Sequence, residues 1–421
     1  MKRILFILAL TIVLIGIGVA VYFIIFASSP KLTVNNSGSN FSTNGNLANQ
    51  AATKGDQTAT TGAGTQVAPN LVEITPNPVA GGVGVIDIDP VSSSTVQKVS
   101  VASTTASSTT IQATPTAPSL SDVEVRYISR ESGNVFAYRA FQRSLTRILN
   151  KTLPGIQEAS WFADGGTAIV RYLEVVGGRE AISTYVLPIN GANGFFLQSN
   201  LTQAMVAGTN SLFTLATNSS GGTAGIASAD GSGSQTLFTS PLSSLVVRQA
   251  GAGYMAVTRA SSEGDGYVFS ISSSGVFTPI VGPLRGLTML PSPTGKRVLY
   301  SYTDGTNYHM SVLDLTTGEI IELPLATFAE KCVWTNESTA VYCGVPNSLD
   351  GNMPDDWYQG TATLADRIWR IDLTSRLATL TVDPSVSGKV DIDAVNLTLD
   401  PNQRVLVFRN KKDSSLWVYT L

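Results

Sequence analysis

The 421-residue chain carries 27 Lys and Arg against 30 Asp and Glu, a net charge of −3, with a single histidine and two cysteines. Charged residues are only 14% of the total, well below the usual quarter or so. This balance argues against an electrostatic footprint for nucleic acid, and one histidine argues against a multi-histidine metal site and most histidine-based catalysis; a low-charge chain rich in Ser, Thr, Gly and Asn suits an extracytoplasmic β-protein.

The first element is "ILFILALTIVLIGIGVAVYFIIF", which begins at Ile4, ends at Phe26 and holds no charge. As a helix it would span roughly 34 Å, enough for a hydrocarbon core of about 30 Å. Lys2 and Arg3 precede it and no basic cluster follows, so the positive-inside rule leaves the N-terminus in the cytoplasm and the rest outside the cell membrane. A cleaved signal peptide would have a shorter apolar run and a small-x-small cleavage site, which "FIIFASSP" does not offer. Residues 1–27 are therefore expected to be a cytoplasmic stub and an uncleaved single-pass membrane anchor.

Residues 28–120 are dominated by Ser, Thr, Asn, Gly and Ala. Such a segment cannot bury enough apolar surface to offset its ordering entropy, so a disordered linker is expected, with a reach of about 50 Å. One part, "LVEITPNPVAGGVGVIDIDP" (71–90), alternates well enough for a short strand or two that docks on the domain downstream. Its glycines make no phosphate loop, because no helical pattern succeeds them.

From Ser121 to Leu421 short β-patterned runs return at a period near 45 residues: "NVFAYR", "ISTYVLP", "AGIASADG", "YVFSISSSG", "MSVLDLTTGE", "RIWRIDLTSR" and "SLWVYTL". A second signature precedes many of them. "SWFADGGTAIV" (160–170), "SPTGKRVLY" (292–300), "VWTNESTAVYC" (333–343) and "DPNQRVLVF" (400–408) each read as strand, tight turn and strand, with Gly, or Asn402 in its place, at the turn position needing positive φ. Short strands in units of 40–50 residues with little helical period predict an all-β fold, a β-propeller of four-stranded blades. The aromatic strands count seven blades; six or eight remain compatible with the spacing. The first unit lacks its innermost strand and the last stops at its third, so an N-terminal strand, "VEVRYIS" (123–129) or part of 71–90, is expected to supply the missing edge.

The aromatic–Asp/Pro–Gly phrasing resembles the TolB-like and WD40-like propeller repeat over 121–421, with the better fit at 160–170 and 292–300. The WD dipeptide and Gly-His pair of WD40 blades are absent, which places the resemblance nearer the TolB-like group. The resemblance implies protein–protein contact; the fold itself hosts many functions.

Cys332 and Cys343 flank a turn centred between Glu337 and Ser338. Thr335/Ala340, Trp334/Val341, Val333/Tyr342 and Cys332/Cys343 then oppose, with the cysteines on the side of Trp334 at a Cα separation of about 5.5 Å. A disulfide and a pair of buried reduced thiols both fit. A redox pair would need Cys-x-x-Cys and zinc more ligands.

The largest insertion is "GVPNSLDGNMPDDWYQGTATLAD" (344–366). Asp350, Asn352, Asp355, Asp356, Trp357 and Tyr358 make it the candidate binding surface, oxygen ligands beside aromatics; a solvated loop tip is the structural alternative. It lacks the ligand spacing of an EF-hand, and no metal, cofactor or catalytic residue is assigned. His309 and the turn carboxylates Asp164, Asp230, Asp314, Asp372 and Asp400 are expected to be structural. The functional expectation is a non-catalytic binding or scaffold module for a protein or envelope polymer, without a nucleic-acid partner. A carboxylate-based glycan hydrolase or lyase in the propeller funnel, or a passive surface or adhesion protein, are the alternatives.

Overall fold

The computed structural model describes residues 53–54, 59–88 and 121–421. The expected anchor and much of the expected linker lie outside the described residues. Among the described residues, no helix is long and apolar enough to cross a membrane.

The described residues fold as a succession of six antiparallel sheets, three of them simple four-stranded meanders. Ile156–Trp161, Thr167–Val176, Arg179–Pro188 and Phe195–Phe196 form one; Gln203–Ala207, Ser211–Asn218, Gly221–Ser228 and Gln235–Ser240 form the next. A seven-stranded sheet comes after them, from Leu245–Ala250 to Ile320–Glu322. Its middle strand, Phe277–Pro291, pairs with Asp265–Ile271 through its first half and with Arg297–Thr303 through its second. It thus ends one meander and begins another. Cys332–Trp334, Ala340–Pro346, Asp366–Asp372 and Leu377–Val382 make a further meander.

The N-terminal chain completes the first and last sheets. Leu71–Thr75 pairs with the C-terminal strand Leu416–Thr420 and so supplies the fourth strand beside Ala394–Leu399 and Val405–Asn410; Thr65–Ala68 adds a fifth. Gly84–Ile88 then pairs with Asp122–Ile128 and begins the first sheet, ahead of Val135–Arg139 and Ser144–Asn150. Both missing strands thus come from the 71–90 stretch. The alternative edge, 123–129, is instead the second strand of the first sheet, because its residues are buried from Asp122 through Val125 and again at Tyr127 and Ile128, as an interior strand requires. Thr53–Lys54 and Thr60–Thr61 pair with the outer strand Ser144–Asn150, so this part of the expected linker is strand as well.

Each sheet is apolar on both faces, and its neighbours cover them. Ile128 and Leu149 pack with Val170 and Leu187; Ile169 and Val186 with Leu201 and Leu212; Phe213 and Phe238 with Val247 and Ile271. Met255 and Val268 meet Met289 and Val298 across the two halves of the seven-stranded sheet. Leu299 and Val312 meet Trp334 and Val341, and Ile368 and Val382 meet Leu406 and Trp417. Finally Val72, Ile74, Val407 and Val418 of the last sheet pack on Val123, Val125 and Tyr138 of the first. The succession of cores returns to its start, which is the architecture of a closed β-propeller.

The four strand–turn–strand signatures adopt one geometry. Gly165, Gly295, Ser338 and Gln403 each donate a backbone N–H three residues back, to Phe162, Ser292, Thr335 and Asp400. All four have positive φ, 63°, 69°, 58° and 55°. In the last turn the positive-φ position is Gln403 and not Asn402, because the turn begins at Asp400, one residue later than a positive-φ Asn402 would require; the Asp400 carboxylate accepts the Arg404 and Val405 N–H groups. The other turn carboxylates do similar work: Asp164, Asp230, Asp314 and Asp372 each accept backbone N–H groups two or three residues on.

Cys332 and Cys343 oppose as expected and form a disulfide. Their Cα atoms are 4.1 Å apart rather than 5.5 Å. Thr335 and Ala340 are a hydrogen-bonded pair, so alternation makes the cysteines a non-hydrogen-bonded pair, where the strands approach more closely. Converting both cysteines to serine should cost about 2–3 kcal/mol by the chain entropy of so short a loop, read from denaturant unfolding under non-reducing conditions. Truncating the chain at Ser121 removes both completing strands. It should lower Tm by more than about 10 °C or abolish cooperative unfolding, and an unchanged Tm would refute the closure.

Candidate functional site: a central cavity beneath the insertion

The first strands of successive sheets face a common cavity of about 760 Å³. Its wall includes Ser160, Gln203, Leu245, Thr288 and Asn396, together with Gly81 and Gly82, where the chain passes between the last sheet and the first. Gly82 is required there: at φ 93° a Cβ would lie 2.0 Å from the Ala159 carbonyl oxygen. Four arginines line the cavity, Arg171, Arg248, Arg259 and Arg409, with two carboxylates, Glu158 and Glu330. Both carboxylates are engaged. Arg171 Nη1 donates to Glu158 at 2.5 Å, while Nη2 donates to the Leu201 carbonyl at 2.6 Å. Glu330 accepts the hydroxyl of Tyr358.

Tyr358 belongs to the 344–366 insertion, which joins the second and third strands of its sheet. The insertion is no solvated tip. It folds into a short helix, Asp355–Gln359, tied to three other parts of the ring. Asp355 Oδ2 accepts the Ser262 N–H at 2.6 Å, from a loop of the seven-stranded sheet. Lys411 of the last sheet donates to the Trp357 carbonyl at 2.7 Å. The Trp357 indole N–H reaches Asp393 Oδ2 at 2.9 Å.

Trp357 is therefore not an exposed binding aromatic. It is 4% exposed and packs with Phe328, Met353, Leu364 and Val395; its polar end finds a buried carboxylate, as a buried indole requires. Tyr358, 37% exposed, is the candidate residue that reaches the cavity. Asp355 anchors the insertion to the Ser262 loop, and Asp356 serves the insertion's own fold by accepting the Asn352 N–H at 3.0 Å. Asp350 and Asn352 are exposed at its outer edge. The six residues thus divide among anchoring, cavity and outer surface and do not form one ligand set. Among the described residues, no cluster of three or more His, Cys, Asp or Glu could hold a metal ion.

Beneath Trp357 lies a charged cluster that the sequence did not announce. Lys331, fully buried, lies 2.8 Å from Asp366 Oδ2 and contacts Asp393. Asp393 also accepts the Leu364 N–H, and Asp366 the Ala394 N–H. Lys331 and Lys411 both lie over the Trp357 ring. Asp366 Oδ1 is buried without a hydrogen-bond partner. Burial, only partly offset by Lys331, pushes the Asp366 carboxyl up to about 6. His309 lies outside this cluster: it bonds Asp304 at 2.9 Å and stacks on Tyr302, a structural setting.

No protein-family model matches the sequence, and no curated protein matches it. Solved structures match in shape. An oligogalacturonate lyase from Vibrio parahaemolyticus aligns over 87% of this chain and 98% of its own at 7% identity, with a TM-score of 0.54. The β-propeller domain of the trilobed protease from Pyrococcus furiosus aligns over 71% and 89% at 7% identity, TM-score 0.46. TolB from Acinetobacter baumannii aligns over 71% and 76% at 10% identity, TM-score 0.40.

The folded Asp366 takes up its proton near pH 6, the unfolded one near 3.8. The folded state therefore binds more protons between these values, so this group's contribution to stability grows as pH falls from 6 towards 4 and is lost as pH rises through 6. Stability measured against pH should show that component in the parent protein and lack it in Asp366→Asn.

Proposed function

We propose that the protein is a membrane-anchored, extracytoplasmic propeller of seven blades that acts as a non-catalytic binding module for a protein or envelope-polymer partner. The seven-blade count takes Phe277–Pro291 as the outer strand of one blade and the inner strand of the next. The anchor is the apolar run between Ile4 and Phe26, and the partner surface is the face bearing residues 344–366.

The observation that carries the binding reading is the way the insertion is held. A loop that only filled solvent would not need ties to Ser262, Asp393 and Lys411 on separate elements. Such ties hold Tyr358 at the cavity and Asp350 and Asn352 on the insertion's exposed surface, and pre-ordered surfaces bind with less entropic cost. The second reading, a glycan hydrolase or lyase in the cavity, is prompted by the likeness to an oligogalacturonate lyase. A hydrolase there calls for two free carboxylates about 5–10 Å apart, whereas Glu158 and Glu330 are both engaged.

The test places a photo-crosslinking residue at Asn352 or Gln359 of the full chain in its native membrane. A discrete crosslinked species is expected there and not from a crosslinker at Leu377, an exposed strand residue elsewhere; identical patterns would refute the partner surface. Recovery in the alkaline-carbonate-resistant membrane pellet is expected for the anchor, and release into the supernatant would refute it.

A further inference from the structure

The cavity reverses the charge balance of the chain. Acidic residues outnumber basic ones overall, 30 to 27, but the cavity wall carries four arginines against two glutamates. One of those glutamates is paired with Arg171 and the other accepts the Tyr358 hydroxyl. Among the described residues, no carboxylate forms a salt bridge with Arg248, Arg259 or Arg409. They reach the cavity from different elements. Arg248 lies on Leu245–Ala250, Arg259 follows Gly253–Thr258, and Arg409 lies on Val405–Asn410.

Arg409 is in the most demanding position. Its Nε is buried with no hydrogen-bond partner, and Nη1 meets only the Ser414 hydroxyl, at 3.2 Å. Burial and the like charge of Arg130 push its guanidinium below the ordinary arginine range, against a partial pull from Glu158. An arginine cannot relieve this by losing its proton near neutral pH, so a half-buried guanidinium with no carboxylate in a salt bridge favours an anion. Arg409 is among the residues that line the cavity.

The wall also supplies hydroxyl and amide groups, among them Gln157, Ser243, Ser244 and Thr258, beside apolar residues such as Ile169 and Met289. Tyr358 is the one aromatic among the lining residues, so the wall offers little for stacking a base or an aromatic ring. The volume lies within the range of small-molecule sites.

We propose that the central cavity is a binding site for a compact hydrophilic polyanion bearing two or more carboxylate or phosphate groups, with Arg248, Arg259 and Arg409 as its anion contacts. Arg171, fixed by Glu158 and the Leu201 carbonyl, supports the wall and is not counted as a contact. The site goes beyond the partner surface proposed above, because it takes a small ligand inside the ring and needs no macromolecule.

The test is calorimetric titration of the full chain with citrate and, separately, inorganic tripolyphosphate, with glucose as the neutral control. At least one anion is expected to bind with sub-millimolar affinity and to weaken as salt is raised. Arg248→Gln, Arg259→Gln and Arg409→Gln should each bind about tenfold more weakly. Arg376→Gln, which removes an exposed pair with Glu319 outside the cavity wall, should bind like the parent. Binding of citrate alone identifies a carboxylate site, of tripolyphosphate alone a phosphate site, and of both a site read by charge. If Arg409→Gln does not fold, the two more accessible variants decide. Absence of binding by either anion, or equal affinity in the parent, Arg248→Gln and Arg259→Gln, overturns the proposal. Crosslinking at the insertion without anion binding would leave the partner surface standing and remove the cavity site; the opposite result would do the reverse.

Discussion

The faces of these sheets are apolar on both sides, and each is buried only by the sheet beside it. A meander such as Ile156–Trp161 to Phe195–Phe196 packs on the preceding sheet through Val170 and Leu187, and on the following one through Ile169 and Val186. Each buried Val, Leu or Ile of this kind contributes about 1.5–3 kcal/mol, but only while the neighbour is in place. The consequence is an all-or-none requirement for closure. It is met by hydrogen bonds between Leu71–Thr75 and Leu416–Thr420 and by the core that joins Val72 and Val418 to Val123 and Tyr138.

A closed ring leaves space at its axis, and the chain uses polar chemistry there. Two settings contrast. Under the insertion, Lys331 meets Asp366 and Asp393 with no solvent exposure. Buried ion clusters of this kind add little net stability compared with apolar packing; here the cluster fixes Trp357 over one end of the ring. In the cavity, Arg171 alone has a carboxylate partner among four arginines. The first arrangement is closed and paired, though Asp366 Oδ1 stays without a hydrogen-bond partner; the second is open and short of negative charge.

The sequence carried the repeat and much of its local geometry. The four turn signatures share one hydrogen-bond pattern because Gly165, Gly295, Ser338 and Gln403 stand at equal distances from the first turn residue, although in the last the sequence pattern points one residue early, to Asn402; the cysteine register followed from the turn's centre. Closure was half legible: alternation in 71–90 marked strands, but their partners lie more than 300 residues away or across a segment with no pattern. The division of the candidate site was not legible. "DDWYQ" presents five polar or aromatic residues that look alike in a loop. Which of them turns inward depends on Asp393 and Lys411, far along the chain. The arginines were hidden for the same reason: Arg171, the hairpin pair Arg248 and Arg259, and Arg409 lie far apart in sequence and are brought together only by the ring.

The path of the N-terminal chain has a mechanical consequence. Before residue 89 it visits the outer strand of the first sheet, crosses to the last sheet, and returns to the inner strand of the first. Tension arriving from that side would meet these attachments in turn. The short pairings at Ser144–Asn150 would peel first, and the longer ladder on Leu416–Thr420 would yield only afterwards. Such an order makes the outermost pairings a sacrificial fuse: the ring keeps its seal until they have already given way.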